Sequence, residues 1–84
     1  MAAIRMTDAA KAGLDSLPRA IQARMVALFR RLRAWPAVSG AKPLSGNLAG
    51  HYRMRTGDYR LRFRVEGNEV VIEQVGHRDR FYEE

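Results

Sequence analysis

The chain has 84 residues, 46% hydrophobic and 29% charged, with no cysteine. That length makes one domain at most, with a thin core and no room for a second lobe or a deep cofactor cavity, so dinucleotide-binding folds are excluded. Fifteen Lys and Arg against nine Asp and Glu give a net charge of +6, and thirteen of the fifteen are Arg, whose planar fork of donors matches phosphate and points to nucleic acid or another polyanion.

The opening residues 2–6 read as a short strand. Thr7 then caps a helix with Asp8 in its first turn, where the helix dipole favours an anion, and this helix is short because Gly13 weakens it and Pro18 stops it. Pro18 suits the start of a second helix running to about Ala34. Ile21, Met25, Leu28, Leu32 and Trp35 recur at alternating spacings of four and three, one apolar stripe that Val26 and Phe29 widen. Arg19, Arg24, Arg30, Arg31 and Arg33 fall mainly off that stripe and read as the solvated side of the helix. From Trp35 to Gly50 the chain is rich in Ala, Ser, Gly and Pro and reads as a loop, with Leu44 and Leu48 tucked under a sheet edge.

The period changes at His51. His51 to Arg55 alternates, with Tyr52 and Met54 on one face, and Tyr59 to Val65 repeats the alternation without a fault. Gly57-Asp58 and Gly67-Asn68 serve as the two hairpin turns, and Val70 to Gly76 forms a third, largely covered strand. The expected fold is α+β: a short N-terminal strand, a two-helix hairpin, a three-stranded antiparallel meander and a short C-terminal tail, one domain over residues 1–84 with helices on one sheet face.

The other face carries the chemistry. Arg53, Arg55, Arg60, Arg62 and Arg64 can all point the same way from two adjacent strands, close enough to surround one or two RNA phosphates. An ordinary solvated strand would intersperse acids, and in this stretch only Asp58, at the turn, is acidic. Arg cannot move protons near neutrality, so its part is to stabilise phosphate charge. Proton transfer falls to the tail, where His77 and Tyr82 stand beside Arg78 and Arg80. Each has a plainer reading, His77 as a surface residue at a strand end, and Phe81 and Tyr82 as packing for the tail. His51, just ahead of the stripe, has less support.

No apolar run is long enough to span a membrane and no apolar stretch follows the first basic residues, so the expected location is the cytoplasm, which the absence of cysteine fits. No carboxylate cluster suits a two-metal site, so neither a metal nor another cofactor is expected.

Pro43-Leu44-Ser45-Gly46, His51-Tyr52-Arg53-Met54-Arg55, Gly57-Asp58-Tyr59-Arg60-Leu61 and the ending Gly76-His77-Arg78 with Tyr82 resemble the RelE branch of the RelE/ParE superfamily of bacterial toxins, and the likeness covers essentially the whole chain. The resemblance implies an endoribonuclease that cuts messenger RNA, usually in the ribosomal decoding site, and is held inactive by a cognate antitoxin. It carries the family's basic pair onto Arg53 and Arg55, its phosphate-binding Arg onto Arg60, its later Arg onto Arg78 and its C-terminal Tyr onto Tyr82. Several relatives have Lys where this chain has Arg on the first meander strand, which favours an electrostatic role there. The implied chemistry is attack of a ribose 2′-hydroxyl on the adjacent phosphate. Tyr82 is then the expected general base with His77 as alternative base or acid, Arg53 and Arg60 hold the phosphate, Arg78 steadies the leaving oxygen, and Arg55, Arg62, Arg64 and Arg80 bind RNA. Two other classes stay open: a ParE-like toxin that inhibits gyrase by protein contact, and a module that binds RNA without cutting it.

Overall fold

The computed structural model describes residues 1–81. Strand β1 (Ala3–Met6) leads to helices α1 (Asp8–Asp15) and α2 (Arg19–Leu32), followed by β2 (Lys42–Pro43), β3 (His51–Thr56), β4 (Tyr59–Glu66) and β5 (Glu69–His77). The strands form one sheet in the order β1-β5-β4-β3-β2, with β1 parallel to β5 and the other neighbours antiparallel. The α+β architecture and the meander are as the alternation requires. The sheet has one more strand than expected, because Lys42 and Pro43 pair with Arg53 and Tyr52 inside the stretch read as a loop.

Local chemistry sets the helix ends. The Thr7 hydroxyl accepts from the Ala10 amide at 3.1 Å, the cap expected of it, and donates to the Glu73 carbonyl at 3.1 Å, so the same side chain starts α1 and ties it to β5. Pro18 stands just before α2, where its carbonyl accepts from the amides of Ile21 and Gln22. The Gln22 amide reaches back to the Leu14 carbonyl at 3.1 Å, satisfying one of the last carbonyls of α1. Helix α2 ends at Leu32, two residues before the expected Ala34, and passes into turns.

Met25, Leu28, Phe29 and Leu32 of α2 are buried against Met54, Leu61, Phe63, Val70, Ile72 and Val75 of the sheet, each fully buried apolar side chain contributing about 1.5–3 kcal/mol. Val26 does not widen this stripe: it is 38% exposed, because one residue beyond Met25 the helix has turned it toward solvent. Trp35 packs edge-on against both Tyr52 and Phe63, with ring centroids 4.8 and 5.3 Å apart, and so fixes the α2 exit to β3 and β4. Val70, Val71 and Ile72 are all fully buried, as a covered strand demands.

Candidate functional site

The meander register builds the site row by row. Across β3 and β4, His51 faces Arg64, Arg53 faces Arg62 and Arg55 faces Arg60, while Tyr52, Met54, Leu61 and Phe63 point to the helices. The five Arg therefore share the face away from the helices, as their alternation indicates, and Lys42 of β2 adds a cation opposite Arg53. Directly opposed like charges destabilise a sheet. An element that opposes Arg to Arg twice is built for an anion or must neutralise itself.

Neutralisation is present at Arg62 and Arg64. Between Arg62 and Phe63 the β4–β5 register shifts: Arg62 faces Gln74 while Phe63 faces Ile72, so Glu73 is an extra, bulged residue. Its carboxylate reaches back across the sheet. Glu73 accepts from Arg62 Nε at 3.3 Å, from Arg64 at 2.9 Å and from His51 Nδ1 at 2.5 Å, with its side chain only 12% exposed. Burial pushes this carboxyl up, but the hydrogen bonds from His51 and Arg64 and the charges of His51 and Arg62 prevail and hold it below its ordinary 4.5. Arg64 also pairs with Glu66, which pairs in turn with Arg5. Arg5 and Arg64 flank Val71 in one row of the sheet, and their aliphatic stems account for its complete burial on this face.

Acids thus interrupt the Arg stripe in space, although the local sequence holds only Asp58, at the turn. Arg62 and Arg64, expected to bind RNA, are held by Glu73, which no local reading of residues 53–64 contains. A signal for it does exist: two consecutive polar residues, Glu73-Gln74, interrupt the apolar run of the last strand between Ile72 and Val75.

The Arg row nearest the β3–β4 turn holds Arg55 and Arg60. Arg60 faces Arg55 on one side and Gly76 on the other, and a Cβ at Gly76 would meet nothing within 4 Å. Among the described residues, Gly76 therefore leaves a side-chain-free position beside Arg60. Arg78 stands at the same end, its amide donating to the Asp58 carbonyl at 2.8 Å and its guanidinium 3.8 Å from the Asp58 carboxylate. A hollow of about 410 Å³ on the β2 side is lined by Gly40, Lys42, Arg53, Met54 and Arg55.

Among the described tail residues, His77 is not on this face. His77 lies opposite Tyr59 and packs edge-on against it with centroids 5.1 Å apart, on the helix side of the sheet. Its Nδ1 accepts from the Asp79 amide at 3.1 Å. His77 and Arg80 line a second hollow of about 410 Å³, beside Leu17, Pro18 and Tyr59. Phe81 is buried, as a packing role for it requires. Tyr82 lies outside the described residues. Among the described residues no group of three or more His, Asp or Glu could hold a metal ion, and no helix is long and apolar enough to cross a membrane.

The Glu73 arrangement has a consequence for stability. A carboxyl held below its ordinary 4.5 contributes stability that is complete above that value and is lost as the pH falls through the lower, folded-state value. The urea midpoint should drop as the pH is lowered from about 5 to about 3, and Glu73→Gln should make that drop shallower. An equally steep fall in the variant would show that Glu73 is not the titrating group.

Three comparisons bear on these features. A family model described as ParE toxin of type II toxin-antitoxin system, parDE, matches residues 4–82. Toxin RelG of Mycobacterium tuberculosis is 40% identical over 82 residues, 94% of this chain and 93% of that protein. The toxin-antitoxin complex RelBE2 from Mycobacterium tuberculosis contains a chain similar at a TM-score of 0.81 and 38% identity, over 92% of this chain and 91% of that one. The isolated RelE toxin of E. coli is similar at a TM-score of 0.80, over 96% of this chain and 88% of that chain, and at 15% identity it speaks for the fold alone.

Proposed function

Because this chain belongs to the ParE toxin family of type II toxin-antitoxin systems, and so to the RelE/ParE superfamily, we propose that it is a toxin that works as an endoribonuclease on messenger RNA, most effectively in the ribosomal decoding site. The observation that carries the reading is the pairing of Arg55 with Arg60 beside the side-chain-free position at Gly76. Guanidinium groups facing each other across two strands can hold one phosphate by charge-assisted hydrogen bonds from both sides.

The reaction is attack of a ribose 2′-oxygen on the adjacent phosphorus, giving a 2′,3′-cyclic phosphate and a 5′-hydroxyl. Arg60 and Arg53 hold the phosphate and balance the charge it gains on the way to the transition state. Arg55 fixes the neighbouring phosphate, and Arg78, at the turn end of the face, steadies the leaving oxygen. Arg62 and Arg64 serve the face indirectly by anchoring Glu73. Two protons move, one off the 2′-hydroxyl and one onto the 5′-oxygen, and Tyr82 is the tail group we assign to proton transfer. His77, on the helix side of the sheet, is not placed to share that work in this arrangement.

A cognate antitoxin is the partner we assign, acting in the cytoplasm. The support is the relatives' own association in complexes, such as RelBE2, together with an open cationic face that an acidic, amphipathic segment would cover. The name of the matching family favours a second reading, a toxin that inhibits gyrase by protein contact. Mapping message ends after incubation with translating ribosomes separates the two. Cleavage within ribosome-bound messages is expected of this protein, and intact messages at every protein concentration would overturn the nuclease reading in favour of the inhibitor.

A further inference from the structure

The nuclease reading leaves the proton on the 2′-hydroxyl without a base among the described residues, and the Arg face holds a group that neither the family positions nor the tail supplies. Resting on that reading, we infer that His51 and Glu73 form a proton-transfer pair, with His51 taking the 2′-hydroxyl proton and Glu73 holding the ring for it.

The geometry has three parts. A carboxylate only accepts hydrogen bonds, so the 2.5 Å contact with Glu73 Oε1 assigns a hydrogen to His51 Nδ1, and in the neutral tautomer that carries it Nε2 holds the lone pair. This is the arrangement in which a buried acid fixes the tautomer and orientation of a general base and stabilises the imidazolium that forms. The His51 side chain is 25% exposed against 12% for Glu73, so the acid is enclosed and the base is reachable from solvent. His51 also lies on the Arg face, across from Arg64 and two residues from Arg53 on the same side of β3, about 7 Å along the strand. A ribose attached to a phosphate on Arg53 falls within that span.

The contrast with His77 is instructive. His77 Nδ1 is an acceptor occupied by the Asp79 amide and its ring packs on Tyr59 on the helix side. Of the two histidines, only His51 combines a fixed donor nitrogen with the face that carries the cations. Charge neutralisation alone does not account for it, since Glu73 already has two guanidinium partners in Arg62 and Arg64.

The step balances. As O2′ bonds to phosphorus, its proton passes to His51 Nε2; the P–O5′ bond breaks, and O5′ takes a proton from water. The imidazolium then gives its proton to the hydroxide so formed. A protonated ring cannot accept, so the rate falls on the acid side of the pH profile. The groups that bear on that titration are Glu73 from β5, Arg62 and Arg64 from β4, Glu66 through Arg64, Arg53 on the same strand and Lys42 from β2.

The test is single-turnover cleavage of a ribosome-bound message from about pH 5 to about pH 9 by the parent, His51→Gln, His51→Ala and Glu73→Gln. His51→Gln should lose about a hundredfold in rate and the acid limb of the profile while keeping the parent's RNA affinity and melting midpoint. Added imidazole should restore part of the His51→Ala rate, which a structural role would not allow. Glu73→Gln retains the base but not its anchor, so its rate should fall by about tenfold with a displaced acid limb. Parental rates and profile in a folded His51→Gln would overturn the pair and leave the nuclease standing. A parent that cuts nothing would remove the nuclease reading and the pair together.

Discussion

Arg60→Ala should lower the rate of message cleavage by about a hundredfold or more, with the melting midpoint close to the parent's. Three placements support this. Arg60 is on the face away from the helices, its neighbour on β3 is another cation, and its neighbour on β5 is Gly76, which contributes no side chain. Arg60 is no part of the helix-facing core, so the fold survives its removal. The lost rate comes from the transition state, where the phosphate carries more negative charge than in the bound message. Arg62→Ala makes the control. It takes one partner from the half-buried Glu73 carboxylate, so its larger effect should be on unfolding, with cleavage less affected than in Arg60→Ala. Both variants should be compared in cleavage time courses and in thermal melts. Arg60→Ala cutting at the parental rate would remove Arg60 from the phosphate.

The partition of the stripe shows where a sequence is legible and where it is not. Alternation over Tyr59 to Val65 specifies a face, because a strand has a period of two and the apolar set can be buried in only one way. It therefore places Arg60, Arg62 and Arg64 together before any coordinates. The helix stripe is equally clear at Met25, Leu28 and Leu32. What alternation does not carry is which cations are already neutralised, since that depends on a residue distant in sequence. Glu73 reaches Arg62 and Arg64 only because a bulge adds one residue to β5, and a one-residue shift in register is a property of the pair of strands. The two-residue strand at Lys42 and Pro43 escapes for a related reason: its partner, β3, decides its conformation, and Pro and Lys have little strand preference of their own. His77 follows the same logic in reverse. Its neighbours in sequence, Arg78 and Arg80, suggest one cluster, but the alternation of β5 sends its ring to Tyr59 on the other side.

Gly13 is the residue whose reading changes most between sequence and structure, and its substitution carries the largest stability effect we expect. By propensity alone, Gly13→Ala within α1 should stabilise the protein by roughly 1 kcal/mol. The packing reverses the sign. A Cβ at Gly13 would lie 2.2 Å from the Val75 carbonyl oxygen, with the Val75 carbonyl carbon at 3.3 Å. Ordinary contact needs at least 3 Å, so α1 or β5 must retreat by about 1 Å, and neither atom belongs to a side chain that can rotate aside. Glycine is required here for the close approach of a helix to a strand. Overpacking of this kind costs about 1–3 kcal/mol or more, enough to exceed the helix gain, so the net expectation is destabilisation by about 2 kcal/mol. In a domain of this size that lowers the melting midpoint by roughly 10 °C. Cleavage should also suffer below the melt, because Val75 adjoins Gly76, the side-chain-free position beside Arg60. A Gly13→Ala variant that melts at or above the parent's temperature would show that α1 can move off β5 at little cost, and the geometry of the Arg60 row would then have no rigid support from behind.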